Sequence, residues 1–317
     1  MKSVVVGGAG FVGSHLCEHL LKDGREVVCI DNCSSGRVEN LDEFHSHGRF
    51  TFVEGDILDG VETVLRQGNC DPASVDRLYH LASRASPVDF KEHPLDIARV
   101  NSEGTRLILE FCADTGARAL FASTSEVYGD PEVHPQHEEY YGNVNPRGPR
   151  ACYDEGKRFG EMLTGVYHRQ YGVDVRTVRL FNTYGPRMQA DDGRVIPTFV
   201  TQALAGEDLT VYGDGQQTRS FLYVSDLCQG LAETMDCDGL DGQVLNLGST
   251  SEVTIESLAE NVMSLVNTES EITYEPLPED DPQRRRPDID RARHLIGWEP
   301  KVEFENGLER TIDYFRS

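Results

Sequence analysis

Ser3-Val4-Val5-Val6 runs directly into Gly7-Gly8-Ala9-Gly10-Phe11-Val12-Gly13, and that into the helix-compatible Ser14-His15-Leu16-Cys17-Glu18-His19-Leu20-Leu21. A strand, a glycine turn and a helix start in that order leave few folds open. Both Gly8-x-Gly10-x-x-Gly13 and Gly7-x-x-Gly10-x-x-Gly13 can be read here. The glycines let the backbone close on a pyrophosphate, which then sits on the unpaired N–H groups of the helix. Phe11 and Val12 lie in the same cradle. The second strand, Glu26 to Ile30, ends in Asp31, 18 residues after Gly13. An acid there binds ribose hydroxyls and repels a 2′-phosphate, so NAD is expected over NADP. Asn32 is grouped with this site, as is Arg37, the one feature that would soften the preference.

The rhythm continues. Phe50 to Ile57 reads as a third strand, putting Asp56 and Ile57 near the adenine, and Arg77 to Ala82 as a fourth, bringing Leu81 and Ala82 to the ligand edge. Ala119 to Ser123 is the fifth, and it delivers Thr124-Ser125-Glu126. Helix-length segments alternate with these strands, including one from about 94 to 114. The pattern predicts a Rossmann-type, doubly wound parallel α/β sheet, whose carboxyl edge binds ligands. A Thr124 hydroxyl there can hydrogen-bond a reacting oxygen.

Tyr153-Asp154-Glu155-Gly156-Lys157 places a phenol and an ammonium one turn apart on a helix face. The ammonium is expected to favour the phenolate, lowering a pKa that starts near ~10. Such a Tyr can take a hydroxyl proton while hydride leaves the same carbon.

A net charge of -24 over 317 residues argues against a nucleic-acid partner, since little on the surface neutralises phosphates. With 25 Arg and five Lys, the surface is suited to concentrated salt, which screens self-repulsion. The eight Cys include no Cys-x-x-Cys, and neither a metal site nor a disulfide is expected. The chain passes from Met1-Lys2 straight into a strand, and no apolar run approaches the ~18 residues of a membrane span. A cytoplasmic enzyme is the expectation.

After residue 180 the strand–helix alternation loosens, and a smaller substrate lobe is expected over 180–317. Residues 1–179 form the cofactor domain, rejoined by about 222–248 through the strand Val244-Leu245-Asn246-Leu247. Arg284-Arg285-Arg286, in an acidic and Pro-punctuated stretch, is suited to an anion.

With Gly7, Gly10, Gly13, Asp31, Asp56, Thr124, Tyr153 and Lys157 in place, the chain resembles the extended short-chain dehydrogenases/reductases. More narrowly it resembles the UDP-glucuronate decarboxylase (UDP-xylose synthase) family. The resemblance is carried by Ser123-Thr124-Ser125-Glu126-Val127-Tyr128-Gly129-Asp130, Gly142-Asn143-Val144-Asn145-Pro146 and Cys152-Tyr153-Asp154-Glu155-Gly156-Lys157-Arg158. Phe181-Asn182-Thr183-Tyr184-Gly185-Pro186-Arg187-Met188 and Val211-Tyr212-Gly213-Asp214-Gly215-x-Gln217-Thr218-Arg219-Ser220-Phe221 extend it over nearly the whole chain. One departure is Ser83-Arg84-Ala85-Ser86-Pro87, where the family shows Cys-Pro-Ala-Ser-Pro.

The resemblance implies bound NAD, a UDP-glucuronate substrate, and a homodimer built on helices near 94–114 and 153–171. It implies Tyr153 as the base, with Lys157 and Thr124 assisting, and Ser125, Glu126 and Arg285 placing the carboxylate and managing the C5 proton. Arg285 is singled out by Asp280, Asp281, Pro282, Pro287 and Asp288 of the family pattern. Arg187 and Arg219 are candidates for the diphosphate, Asn182 and Tyr212 for sugar or uridine, and Arg84 for the substrate side. A UDP-glucuronate 4-epimerase, a 4,6-dehydratase and a non-catalytic NAD-binding regulator are the rival readings.

Overall fold

The computed structural model describes residues 1–277 and 284–316. Its centre is a seven-stranded parallel sheet. The first six strands are β1 (Lys2–Val6), β2 (Glu26–Asp31), β3 (Phe50–Glu54), β4 (Arg77–His80), β5 (Arg118–Thr124) and β6 (Val175–Leu180). The seventh, Val244–Leu247, pairs in parallel with β6, so the order runs from it through β6, β5, β4, β1 and β2 to β3. The chain reverses its direction of travel between β1 and β4, the crevice where open α/β sheets hold ligands.

Burial explains the composition of the strands. β4 is buried along its whole length, and β5 at every residue but the first, as a sheet covered by helices on both faces requires. One face packs Leu16 and Leu20 against Leu227, Leu231 and Trp298. The other packs Val4, Val28 and Leu78 against Leu65, Ile108 and Leu109. Trp298 is 1 % exposed, and its indole N–H donates to the Asp226 carbonyl at 3.0 Å.

Two sequence expectations change at this level. The third strand stops at Glu54, because Asp56 accepts from the Leu58 N–H at 2.9 Å and caps a 3₁₀ turn, Ile57–Asp59. The 94–114 helix is three pieces: α-helices Pro94–Arg99 and Thr105–Thr115 flank a π-helical turn, Val100–Gly104. The buried Asn101 lies within that turn and donates to Ser83 Oγ at 3.0 Å.

The remaining residues form a third core, in which Tyr184, Phe199, Leu209, Leu258 and Leu308 meet. Its small sheets include Thr218–Ser220, flanked by antiparallel Glu252–Thr254 and parallel Arg284–Arg285. That pairing sets Arg285 opposite Arg219 and turns it toward the end of β5. Asp280, Asp281 and Pro282 lie outside the described residues.

Candidate active site

The glycine turn closes on itself. A Cβ on Gly13 would stand 2.0 Å from the Gly7 carbonyl oxygen, and Gly7, at φ +84°, comes so close to β4 that a Cβ would stand 2.6 Å from the Ala82 nitrogen. Only glycine permits both approaches. The turn then feeds the helix Phe11–Lys22, whose first turn carries no acidic residue. At the tip of β2, Asp31 accepts from the N–H groups of Ala9 and Cys33, each at 2.9 Å. Burial raises its pKa, opposed by backbone N–H groups of Cys33, Ala9 and Gly10. Asn32 donates to Asp56 at 3.0 Å and ties the ends of β2 and β3 together.

A cavity of about 420 Å³ opens above this edge. Every residue assigned to the cofactor from the sequence lines it except Arg37, and Thr124 and Arg84 line it too. Arg37 instead borders a neighbouring cavity with Arg187 and Tyr314. The donor set fits a dinucleotide: a backbone cradle at a helix start, a carboxylate with acceptor sites to spare for a diol, and a long cleft.

At the inner end of the cavity, β5 ends in Thr124, whose Oγ1 accepts from the Glu126 N–H at 3.2 Å. The helix Ala151–Tyr171 brings Tyr153 alongside, its ring stacked on Phe90 at 5.0 Å. Lys157 is 2 % exposed; its Nζ donates to the Ala122 carbonyl at 2.7 Å and lies 5.8 Å from the centre of the Tyr153 ring. Burial lowers the Lys157 pKa to about 7. The expected lowering at Tyr153 is not what this geometry produces. Burial pushes the phenol well above its ordinary range, and the Thr124 hydroxyl only partly offsets that. The Lys157 ammonium, a turn away, is turned to the Ala122 carbonyl and does not offset that burial.

Glu126 lies where two cations converge. Arg285 donates to one carboxylate oxygen, and Arg150 to the other at 2.7 Å. Burial alone would raise the Glu126 pKa, but Arg285 and Arg150 overcome it and hold the carboxyl at about 2. Arg150 was not singled out by sequence reading. Its only local signal is its place three residues before Tyr153, where it shares the face of the tyrosine.

Of the other assigned residues, Arg84 and Arg187 line the cofactor cavity as well, and the rest lie apart from it. The three consecutive arginines do not act as one anion site. Arg285 turns to Glu126, while Arg284 and Arg286 face Glu252 at 4.0 and 3.6 Å. Strand alternation divides them. Arg84 bridges two loops at the cofactor cavity, donating to Asp89 at 2.6 Å and to the Ser34 carbonyl. Arg187 pairs with Glu18 and Glu43 at 2.8 and 2.9 Å. Arg219 is buried and donates to the Thr218 carbonyl at 2.9 Å. The Asn182 carbonyl accepts from the Leu222 N–H at 2.8 Å, Tyr212 is half exposed at a strand end, and Ser125 is buried beside Glu126.

A family model described as GDP-mannose 4,6 dehydratase matches residues 4–311. A UDP-glucuronic acid decarboxylase of Danio rerio is 49% identical over 98% of this chain and 72% of its own length. Another, from Arabidopsis thaliana, is 47% identical over 100% of this chain and 89% of its own. The chain belongs to the UDP-glucuronic acid decarboxylase family of the extended short-chain dehydrogenases/reductases. Solved structures extend the likeness. The UDP-glucuronic acid 4-epimerase of Bacillus cereus, in complex with UDP-glucuronic acid and NAD, superposes with a TM-score of 0.89 at 28% identity, covering 100% of this chain and 99% of that one. This decarboxylase-family chain thus shares its fold with epimerases at lower identity than it shares its sequence with decarboxylases.

Proposed function

We propose that this protein decarboxylates UDP-glucuronate to UDP-xylose through a 4-keto intermediate, with NAD as a resident cofactor. The observation that carries the reading is Glu126 clasped by Arg150 and Arg285 at the end of the strand that also presents Thr124. Bound NAD would hold the C4 hydride during the reaction and return it, so that no net oxidation occurs. Gly7, Gly10, Gly13 and Asp31 hold the dinucleotide, and Asn32, Asp56 and Ile57 frame its adenosine end.

Tyr153, as the phenolate that the positive charge of a bound nicotinamide would favour, accepts the C4 hydroxyl proton and later gives it back. Thr124 orients the same oxygen. Once C4 is a ketone, the carboxylate is β to a carbonyl, and the electron pair of the breaking C5–C6 bond delocalises into that ketone. Arg285 and Arg150 orient the departing carboxylate. An attraction present equally before and during cleavage would not speed the reaction. The fixed Glu126 anion supplies the difference, because it disfavours a second carboxylate more than it disfavours neutral CO2.

The finer parts of the reading concern assembly and place. We read the protein as a cytoplasmic homodimer, with the cofactor domain over 1–179 joined by 222–248 and the nucleotide-sugar lobe over 180–317. Leu95, Phe159 and Met162, at 77 %, 46 % and 46 % exposure, support pairing through the two helical segments. Among the described residues no helix is long and apolar enough to cross a membrane. Light scattering at micromolar concentration gives the mass of two chains; a monomer removes the dimer.

The deciding experiment mixes protein, NAD and UDP-glucuronate and follows products by NMR. UDP-xylose and CO2 support the reading, whereas UDP-galacturonate identifies a 4-epimerase.

A further inference from the structure

Beside Glu126 stands a second carboxyl that the reaction as described does not use. Asp154 follows Tyr153, is 6 % exposed, and its Oδ1 is a buried acceptor without a hydrogen-bond partner. It lies one helical turn beyond Arg150, on the same face, and its N–H donates to the Arg150 carbonyl at 3.1 Å. Arg158, one turn further on, does not neutralise it. That guanidinium donates to the carbonyls of Val127 and Tyr141 and lies 3.6 Å from Glu155. Burial and the Glu126 anion raise the Asp154 pKa, Arg150 and Arg285 lower it, and Glu155 raises it again, for a midpoint of about 7. Tyr153, next in the chain, stays neutral there.

The chemistry also requires a proton at C5. When the C5–C6 bond breaks, its electrons enter the C4 ketone as an enolate and CO2 departs. The new C5–H bond then consumes one proton per turnover. Tyr153 is not the source, because its proton belongs to the C4 oxygen and returns there. Glu126 is not a store either, since its arginines keep it ionised.

We propose that Asp154 is the proton reservoir of this site, binding a proton as the uronate carboxylate enters and ceding it through Glu126 to C5 as CO2 leaves. The proposal rests on the decarboxylase reading. Charge drives both halves. With Asp154 neutral, two arginines and Glu126 leave one net positive charge for the incoming anion. The bound carboxylate is a like charge for Asp154 and tightens its hold on the proton. Departure of neutral CO2 removes that charge and releases the proton. The O–H bond of Asp154 breaks, the C5–H bond forms, and solvent reloads Asp154 as the next substrate binds. Asp154 acts through Glu126 and is therefore a positioning residue.

Calorimetric titration of UDP-glucuronate into NAD-loaded Tyr153→Phe enzyme, in buffers of different ionisation enthalpy, counts protons taken up without turnover. The expected uptake is about half a proton per site at pH 7, approaching one at pH 8, as a group of this midpoint requires. UDP-glucose, which lacks the carboxylate, takes up none. The Tyr153→Phe/Asp154→Asn enzyme binds UDP-glucuronate without uptake. No uptake in Tyr153→Phe, or the same uptake with Asp154→Asn, overturns the proposal. Loaded enzyme that binds UDP-glucose but not UDP-glucuronate overturns the decarboxylase reading itself.

Discussion

Arg285 donates to Glu126 across 159 residues of chain. The contact exists because Arg284–Arg285 runs parallel to Thr218–Ser220 beside the carboxyl end of β5. With Arg150 on the opposite oxygen, Glu126 rests as an anion at neutral pH. That state governs what the carboxylate can do to a substrate.

Glu126→Gln removes the negative charge and leaves two buried guanidinium groups with a weaker partner. UDP-glucuronate then binds at least as well, while kcat for CO2 release falls by about 10²-fold or more, the scale of losing one electrostatic group. The 4-keto uronate accumulates and is detected by NMR. Release of CO2 at the wild-type rate removes Glu126 from the chemical step.

Tyr153→Phe deletes the proton acceptor but not the stacking on Phe90. NAD binding, followed by fluorescence, changes less than ~3-fold, whereas turnover drops by about 10³-fold or more. Activity within tenfold of wild type places the base elsewhere.

Asp154→Asn makes a stability prediction with a definite sign. The folded pKa, about 7, lies above that of an unfolded Asp, so the native state holds the extra proton between those values. Stability therefore falls as pH rises toward 7, and the loss is complete above it. The Asn variant avoids the loss: its Tm exceeds wild type at pH 8 by on the order of 5 °C, with the gap closing toward pH 4. Differential scanning calorimetry at the two pH values checks this. A pH-independent gap means the carboxyl is already ionised at low pH.

Gly13→Ala places a methyl 2.0 Å from the Gly7 oxygen. The turn must open, and NAD affinity falls by about 100-fold, as a cost near ~3 kcal/mol implies. Equilibrium dialysis with labelled NAD measures it; an unchanged Kd shows that the dinucleotide does not rest on this turn.

Features that depend on a few neighbouring residues were legible in the chain. Gly7 and Gly13 announce their turn because only a missing Cβ allows that closure, and Asp31 announces a diol site because its strand sets its position. Tyr153 and Lys157 share a helix face by arithmetic alone. The sequence could not say how deeply Tyr153 is buried, and that burial reverses the expected effect on its phenol, while the Lys157 ammonium turns to the Ala122 carbonyl. It could not separate Arg285 from Arg284 and Arg286 by contact, nor pair Arg84 with Asp89 and Arg187 with Glu18. Strand, turn and helix are short-range consequences of backbone sterics and periodicity, so the linear order of residues was enough to determine the scaffold and its cofactor cradle. Charge states arise from burial and from partners up to 159 positions away, because Coulomb and desolvation energies depend on distance in space; only the tertiary structure decided those.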